Sequence, residues 1–278
     1  MPVDAAAYIE RIREDLEADR LVLPTLPEVA LRVREVVDDP DADADAIAEA
    51  VAQDGALAAR LVQVANSPLY RAARPIEDLH TAVTRLGLGV VRNLVTSFAM
   101  RQIFQPTTEA VDEALRALWA HGVEVAAISA ALAKARPGFR SDEALLAGLV
   151  HDIGKLPVLA LAELEPDLGG DPVLLAEVLS TTHAELGRAI LEAWDFPEAL
   201  VKVAAEHDDL ERKATEADYV DIVQVANLQA YLGTDHPWGR LDWSGIGAFD
   251  RLGIDTTVEE VDIGADPEQV AAARELVG

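Results

Sequence analysis

The stretch Leu149-Val150-His151-Asp152-Ile153-Gly154-Lys155 is the part of the chain from which its fold and chemistry are best predicted. It ends an Ala- and Leu-rich segment with the composition of a helix. An imidazole and an adjacent carboxylate on one helix can bind a hard or borderline divalent cation. The sequence therefore predicts a metal site centred on His151 and Asp152, and we assess the other polar residues by whether they can converge on this pair.

The composition indicates a folded, all-α protein. The chain has 278 residues, of which 50% are hydrophobic and 26% are charged, so it can bury a large core. Ala and Leu dominate and alternating β-branched residues are scarce, which favours helices over strands. We expect two packed helical lobes. Because the chain contains no Cys, disulfides, thiolate metal sites and cysteine nucleophiles are excluded.

The charge of the chain limits the partners that it can bind. The formal net charge is −27 and the isoelectric point is about 4.4, whereas binding to a phosphate backbone needs clustered Lys and Arg. We therefore expect no nucleic-acid partner. Solubility explains the charge, and a basic or metal-binding partner is the alternative. No apolar run has the length of a membrane span and the first residues do not resemble a signal peptide, so we expect a cytoplasmic protein without membrane contact.

Apolar periodicity and helix breakers divide the chain into lobes. Long helices are predicted over residues 78–104 and 109–135, with Gln105-Pro106-Thr107-Thr108 between them. We take this break as a boundary inside a single domain of residues 1–278. The expected parts are an N-terminal helical lobe of residues 1–106, a second helical lobe of residues 107–240 and a C-terminal helical tail of residues 241–278.

Local signals predict where some helices begin and end. Thr182 and Glu185 have the spacing of a capping box, which would separate a helix over 173–180 from the next one. Gly154 is predicted to end the helix that precedes it. Asn66 is predicted to adopt a left-handed conformation in a helix C-terminal turn, because Ser-Pro follows it.

Four of the six His residues fall on different predicted helices of the second lobe, namely His121, His151, His183 and His207. Each has apolar or small residues at helical spacing, so each imidazole is predicted to point into the core. A single buried His is normally satisfied by a backbone carbonyl. Four inward imidazoles beside one Asp would each need a partner, and a shared cation supplies one for all of them. A metal-free polar network in the core is the alternative.

Asn227 is the remaining inward polar residue of the second lobe. A carboxylate at this position would complete a ligand set of His, His-Asp and Asp, whereas Asn is a neutral and weaker ligand. Glu206, next to His207, is an alternative carboxylate. Lys155 would lie beside any anion bound at the site, unless it is a helix-terminal Lys that faces the helix dipole and water.

The order His121, His151-Asp152, His183, His207 resembles the HD superfamily of metal-dependent phosphohydrolases, and its spacing is most similar to the HD-GYP branch. In that branch these positions and a later Asp bind two metals. The resemblance therefore implies a metal site built from His121, His151, Asp152, His183, His207 and Asn227. The chain departs from the branch at Asn227, which replaces the last Asp. It also lacks Gly-Tyr-Pro after His207, where it contains Asp208-Asp209-Leu210-Glu211.

The first lobe contains four separated motifs: Leu23-Pro24-Thr25-Leu26-Pro27, Asp54-Gly55-Ala56-Leu57-Ala58-Ala59-Arg60-Leu61, Ala65-Asn66-Ser67-Pro68-Leu69-Tyr70 and the stretch from Ile76 to Gly87. Through these motifs it resembles another branch of this superfamily, the HDOD (HD-related output) domain. The resemblance covers about residues 20–240. HDOD domains are generally regarded as signalling modules, and many lack a complete HD metal site. For the C-terminal lobe, the resemblance implies an HD-domain-like helical bundle.

These resemblances imply two alternative functions. The first is a bacterial signal-transduction or regulatory module that acts by protein–protein interaction with another signalling protein and retains an incomplete HD-type metal site. The second is a metal-dependent phosphohydrolase acting on a nucleotide or cyclic dinucleotide, with Asp152 and Lys155 as catalytic residues. A nucleotide is also a candidate ligand of a sensing module. We expect a divalent metal such as iron or manganese, in a mononuclear or partly occupied site, with little or no hydrolysis because of Asn227.

Overall fold

The computed structural model describes residues 4–70, 74–104, 109–258 and 261–278. Within these ranges the regular secondary structure is helical throughout and no strand is found. The all-α fold class predicted from the composition is therefore confirmed.

The helices follow the apolar periodicity of the sequence. In the first part of the chain they are α1 (Ala5–Glu17), α2 (Glu28–Asp38), α3 (Ala44–Ala52), α4 (Gly55–Ala65), α5 (Leu79–Leu86) and α6 (Leu88–Met100), with a 3-10 helix over Arg101–Phe104. The next part contains α7 (Glu109–Lys134), α8 (Ser141–Val150), α9 (Lys155–Leu164), α10 (Pro166–Gly169), α11 (Pro172–Ala193), α12 (Glu198–Glu206) and α13 (Tyr219–Tyr231). The last part contains a 3-10 helix over Pro237–Arg240, then α14 (Gly247–Arg251) and α15 (Pro267–Val277).

Helices α7 and α8 form the centre of the fold. Helix α7 contacts α8, α13 and α15, and α8 also packs against α6. Gly148 allows the close approach of α7 and α8, because a Cβ at this position would lie 2.7 Å from the Cα of Ala126. Against the expectation from the sequence, the stretches Val111–Lys134 and Ser141–Leu164 are long and apolar enough to cross a membrane, but 67% and 83% of their apolar windows are buried inside the fold. Such burial is typical of core helices of a globular fold, so these two stretches are weak evidence for a membrane span.

Aspartates define where many of the helices begin. In seven of the α-helices, within the described residues, the residue before the first turn accepts a backbone N–H through its side chain, and all of these residues are Asp: Asp4, Asp43, Asp54, Asp78, Asp171, Asp218 and Asp266. An N-cap Asp stabilises a helix by about 1 kcal/mol, and its negative charge is favourable near the helix N-terminus. Part of the acidic excess of this chain therefore sets helix boundaries.

Two predicted helix boundaries fail because the chain continues or divides elsewhere, and a third, at Gly154, is described below. The helix predicted over 78–104 is divided into α5 and α6 at Gly87, whose φ of 84° lies in a region that only Gly adopts readily. The capping box predicted at Thr182 does not form, because α11 is continuous through this position. The Thr182 hydroxyl instead donates to the carbonyl of Val178, 2.8 Å away in the preceding turn.

Asn66 ends α4 differently from the prediction. Its φ is −95°, so it is not left-handed. The side-chain Nδ2 of Asn66 donates to the backbone carbonyls of Val62 and Ile76, and its side-chain Oδ1 accepts the backbone N–H of Ile76 at 2.9 Å. The Asn side chain therefore ties the end of α4 to the segment that leads into α5.

The stretch from His151 to Gly154 is a turn between α8 and α9. Gly154 is not the end of a helix but the residue that precedes α9, with an ordinary φ of −66°. A glycine is needed here because there is no room for a side chain. A Cβ at this position would lie 1.9 Å from the carbonyl oxygen of His183 and 2.4 Å from the backbone nitrogen of Gly187. The start of α9 and the middle of α11 therefore touch through their backbones, which brings His183 towards Asp152.

The predicted division into lobes is not tested by the fold. Its boundary at residues 105–108 lies outside the described residues, so the lobes 1–106, 107–240 and 241–278 stay a prediction. Helix α1 packs on α11 and α6 packs on α8, so parts of the predicted first and second lobes are in contact. In the tail, α14 packs on α13 and α15 packs on α7.

Candidate metal centre

Five segments each bring polar side chains to one point next to the α8–α9 turn. The contributors are His121 on α7, His151 and Asp152 in the turn, His183 on α11, His207 after the end of α12 and Asn227 on α13. Ligand atoms within 4.8 Å of one another form two groups, which share Asp152: one with His121 and His151, the other with His183 and His207. The structure therefore brings together the residues that the sequence predicted as candidate ligands.

Three of the imidazoles have a defined tautomer. Their Nδ1 atoms contact backbone carbonyls of the preceding turn: His151 with Gly148 at 2.7 Å, His183 with Leu179 at 2.9 Å and His207 with Val203 at 3.0 Å. Because a carbonyl oxygen can only accept, Nδ1 must carry the proton in each ring. The Nε2 atom of a neutral imidazole then presents a lone pair, which is the arrangement found in metal-bound His residues.

The buried atoms that face the centre lack hydrogen-bond partners. Within the described part of the chain, no partner is found for Nε2 of His121, His151, His183 and His207, or for Oδ1 of Asn227. A buried polar atom without a partner costs about 1–3 kcal/mol, so five such atoms at one point need an explanation. A cation that accepts their lone pairs supplies it, and His nitrogen with carboxylate oxygen suits divalent iron, manganese or zinc.

Asp152 lies at the centre of this cluster and is buried. Its Oδ2 is 3.3 Å from Nε2 of His151, and its Oδ1 is 3.4 Å from Nε2 of His207 and 3.7 Å from Nε2 of His183. Burial by itself would raise the pKa of Asp152, but His151 and Lys155 hold this pKa well below its usual value. Asp152 is therefore a carboxylate that can serve both groups of imidazoles.

Lys155 is not a C-terminal helix residue that faces water. It is the first residue of α9, and its Nζ donates to Oδ2 of Asp152 at 2.5 Å. Its side chain is only 24% exposed and lines the cleft in front of the cluster. The prediction that Lys155 lies beside the site is consistent with this position.

His121 and Asn227 form the less polar side of the cluster. The His121 ring stacks on Tyr231, with 4.6 Å between the ring centroids, and lies 5.3 Å from the His151 ring. Burial and the neighbouring His151 lower the pKa of His121 to about 3, so this imidazole is neutral. Asn227 adds no charge on this side, and Asp152 is the only carboxylate in the group of ligand atoms that contains His121.

The sequence prediction missed Asp208. One oxygen of its carboxylate lies 3.0 Å from Nε2 of His183, and the other lies 3.3 Å from Nε2 of His207. Burial alone would raise the pKa of Asp208, but His183 and His207 lower it to about 2. Its position directly after His207 was the only signal in the sequence. Glu206, the alternative carboxylate, instead pairs with Arg212 at 2.7 Å.

Helix α13 holds the segment that carries His207 and Asp208. The buried Gln224 side chain donates to the carbonyls of Glu206 and Asp209, at 3.3 and 2.7 Å, on either side of these two residues. Within α13, the buried Asp221 accepts hydrogen bonds from Arg212 and Arg251. The polar residues of α13 therefore fix the end of α12 in addition to placing Asn227.

A cleft of about 800 Å³ opens in front of the cluster. Asp152, Lys155, His183 and Asp208 are part of its wall, and Tyr231, His236 and Trp238 form an aromatic side. The rings of Tyr231 and His236 are stacked with 3.7 Å between centroids. Sequence reasoning did not find His236 and Trp238 as part of the site, because only the packing of the 3-10 helix over Pro237–Arg240 on α13 brings them there.

Comparison with known proteins agrees with this architecture. The family model of the HDOD domain matches residues 23–210. The fold is similar to a crystal structure from Shewanella amazonensis SB2B, provisionally named a metal-dependent phosphohydrolase, with 31% sequence identity, a TM-score of 0.82 and coverage of 98% of this chain and 97% of that chain. It is also similar to an HDOD domain protein with unknown function from Geobacter sulfurreducens, with 26% identity, a TM-score of 0.65 and coverage of 98% and 99%.

A relative that matches most of this chain is also found among curated proteins. An uncharacterized protein of Treponema pallidum (strain Nichols) is 26% identical over 274 residues, which are 91% of this chain and 52% of that protein. The chain thus spans about half the length of this relative. Because the family model matches more than half of the chain, and the helical fold and the His-Asp cluster agree with it, the protein belongs to the HDOD domain family.

Proposed function

We propose that this chain is a regulatory module of bacterial signal transduction, which binds a divalent metal at its HD-type site and acts through contact with another signalling protein in the cytoplasm. The observation that carries the proposal is the set of four Nε2 lone pairs around the Asp152 carboxylate, with Asn227 in place of a further carboxylate. The imidazoles retain the means to bind a cation. The missing charge argues against the pair of metals that hydrolysis in the HD-GYP branch uses.

The metal would be held by Asp152 together with the imidazoles of one of the two groups. Both groups of ligand atoms include Asp152, so one carboxylate would have to serve two cations in a dinuclear site. Two divalent cations near each other repel, and a neutral amide such as that of Asn227 does not offset this repulsion. A mononuclear site that stabilises the fold or senses the metal is therefore the form that these residues favour.

A metal-dependent phosphohydrolase is the second candidate function. It is favoured by the cleft of about 800 Å³, which places Lys155 next to the metal-binding residues, and by the 31% identity to the Shewanella protein over nearly its whole length. A bound metal would supply Lewis acidity towards a phosphoryl group. Lys155 would bind a phosphate oxygen, and the aromatic side of the cleft around Trp238 would bind a nucleotide base.

Metal content and turnover distinguish the candidate functions. We expect protein purified without chelator to contain close to one equivalent of divalent metal and to show no turnover of phosphodiesters, cyclic dinucleotides or nucleotides. Asp152→Ala should lose the metal, and Asp209→Ala, a control at an exposed residue two positions after His207, should retain it. Turnover that depends on Asp152 would contradict the regulatory proposal, and protein without metal under all conditions would leave only a polar core network.

The interaction part of the proposal has its own test. Crosslinking in cells should capture a signalling protein with the wild-type chain, and capture should fall with Asp152→Ala if the metal controls the interaction. Equal capture by the wild type and by Asp152→Ala would show that the interaction does not depend on the metal.

A further inference from the structure

We propose that Asp208 is a metal ligand of this chain, so that one cation is bound by Asp152, His183, His207 and Asp208, and the His121–Asn227 side takes no part. This proposal rests on the metal binding proposed above and specifies where the metal lies. It assigns the second carboxylate to the residue after His207, in place of the one that is absent at Asn227.

The distances around Asp208 fit a carboxylate that faces one ion with both oxygens, since Oδ2 lies near His183 and Oδ1 lies near His207. Two atoms that are each about 2.1 Å from a cation lie about 3.0–3.4 Å apart at coordination angles between octahedral and tetrahedral. The Asp208 oxygens are 3.0 Å from Nε2 of His183 and 3.3 Å from Nε2 of His207, and Oδ1 of Asp152 is 3.4 Å from Nε2 of His207. The contact between Asp152 and His183, at 3.7 Å, is slightly longer.

The contacts of Asp208 with the two imidazoles do not have hydrogen-bond geometry, because no hydrogen bond is formed at Nε2 of His183 or of His207. Nδ1 of each ring contacts a backbone carbonyl, so Nε2 presents a lone pair whenever the ring is neutral, as it must be to bind a metal. A lone pair that faces a carboxylate oxygen at 3.0 Å is repulsive unless positive charge lies between them. A divalent cation removes this repulsion and satisfies both buried nitrogens at once.

The charges favour the same side of the cluster. Asp152 and Asp208 together balance the two positive charges of a divalent cation, whereas the His121 side has only the shared Asp152 and the neutral Asn227. Asp152 is buried, and buried charge is tolerated when it is compensated, whereas the Asp208 side chain is 41% exposed and borders the cleft. Nζ of Lys155 contacts the other oxygen of Asp152, Oδ2, so it does not occupy the space between Asp208 and the imidazoles.

The backbone around Asp208 is fixed in a way that suits a ligand. Gln224 holds the carbonyls of Glu206 and Asp209, which flank His207 and Asp208. Asp209 itself points elsewhere, since its carboxylate accepts the backbone N–H of Glu211 at 3.1 Å. These adjacent acidic residues therefore have different roles, and Asp209 is a matched control for charge and location.

The proposal is tested by titrating metal-free protein with Co²⁺ and recording the visible absorption spectrum of the bound ion. This spectrum depends on which ligands bind the ion. We expect Asp208→Asn to weaken Co²⁺ binding by about 10-fold or more and to change the absorption spectrum. Asp209→Asn and Asn227→Ala should bind within about 3-fold of the wild type with an unchanged spectrum. Asp208→Glu, which keeps the carboxylate, should retain binding, and thermal unfolding should show that every variant is folded.

Two results would overturn the proposal in different ways. If Asp208→Asn binds Co²⁺ as Asp209→Asn does, or if Asn227→Ala weakens binding as much as Asp208→Asn, the ligand assignment is wrong while metal binding by the module stands. If the wild-type chain takes up no Co²⁺, metal binding fails as a whole, and the assignment of Asp208 fails with it.

Discussion

The two sides of the metal centre differ although both are built from His residues on neighbouring helices. On one side, His183 and His207 face the carboxylates of Asp152 and Asp208 at distances of 3.0–3.7 Å. On the other side, His121 stacks on Tyr231 and lies near the neutral Asn227. The two sides therefore differ in negative charge, although both present inward-facing imidazoles. We expect this charge to decide which imidazoles bind a cation.

The contact between α9 and α11 maintains the first side, and Gly154→Ala would break it. Because the new Cβ would lie 1.9 Å from the carbonyl oxygen of His183, either α11 or the turn must move. We expect the free energy of unfolding to fall by about 3 kcal/mol, measured by urea denaturation. Gly55→Ala is the control, since nothing lies within 4 Å of a Cβ there. Equal stability of the two variants would contradict the proposed role of the glycine.

Single His deletions compare the two sides directly. We expect His183→Ala to weaken metal binding by about 100-fold, because it removes a ligand from the side with two carboxylates. His121→Ala should change the affinity by less than about 3-fold. Isothermal titration with Mn²⁺ measures both variants under the same conditions. A similar loss in the two variants would indicate a metal that spans both sides of the cluster.

On the side of His121 and Asn227, we expect acid to lower the free energy of unfolding through protonation of His121 in the unfolded chain. The pKa of His121 is lowered from 6.5 to about 3 in the fold, so between these values the unfolded chain binds a proton that the folded chain does not. Proton binding by the unfolded chain therefore lowers the free energy of unfolding as the pH falls from 6.5 towards 3, whereas above pH 6.5 His121 causes no such loss. On acidification from about pH 7.5 to 5, the metal-free wild type should lose about 2 kcal/mol more unfolding free energy than His121→Gln. An identical pH dependence of the two proteins in urea titrations would contradict a neutral, buried His121.

Restoring the missing carboxylate should make the two sides more alike. With Asn227→Asp, the His121 side gains a charged ligand, and we expect the metal content to rise from about one equivalent towards two, with roughly 10-fold tighter binding of the second ion than in the wild type. Elemental analysis after dialysis measures the content. No change in content or affinity would indicate that residue 227 does not face a metal position.

Much of the fold could be predicted because apolar periodicity is local. The long α7, the inward direction of the four imidazoles and the all-α class all follow from helical spacing within short stretches. The errors concern longer-range effects. Helix α11 passes through Thr182 because tertiary packing outweighs a local cap signal, and α9 begins at Lys155 although Gly and Pro are normally helix stop signals.

The sequence by itself determined most of the candidate metal ligands and that they lie in separate segments with apolar faces, because residue type and helical period are properties of short segments. Only the tertiary structure decided which of these residues meet. The contact of Gly154 with α11 sets His183 against Asp152, and Gln224 holds the segment that turns Asp208 towards the two imidazoles. Distances between side chains on different helices depend on how closely the helices pack, and the spacing of residues along the chain does not determine that.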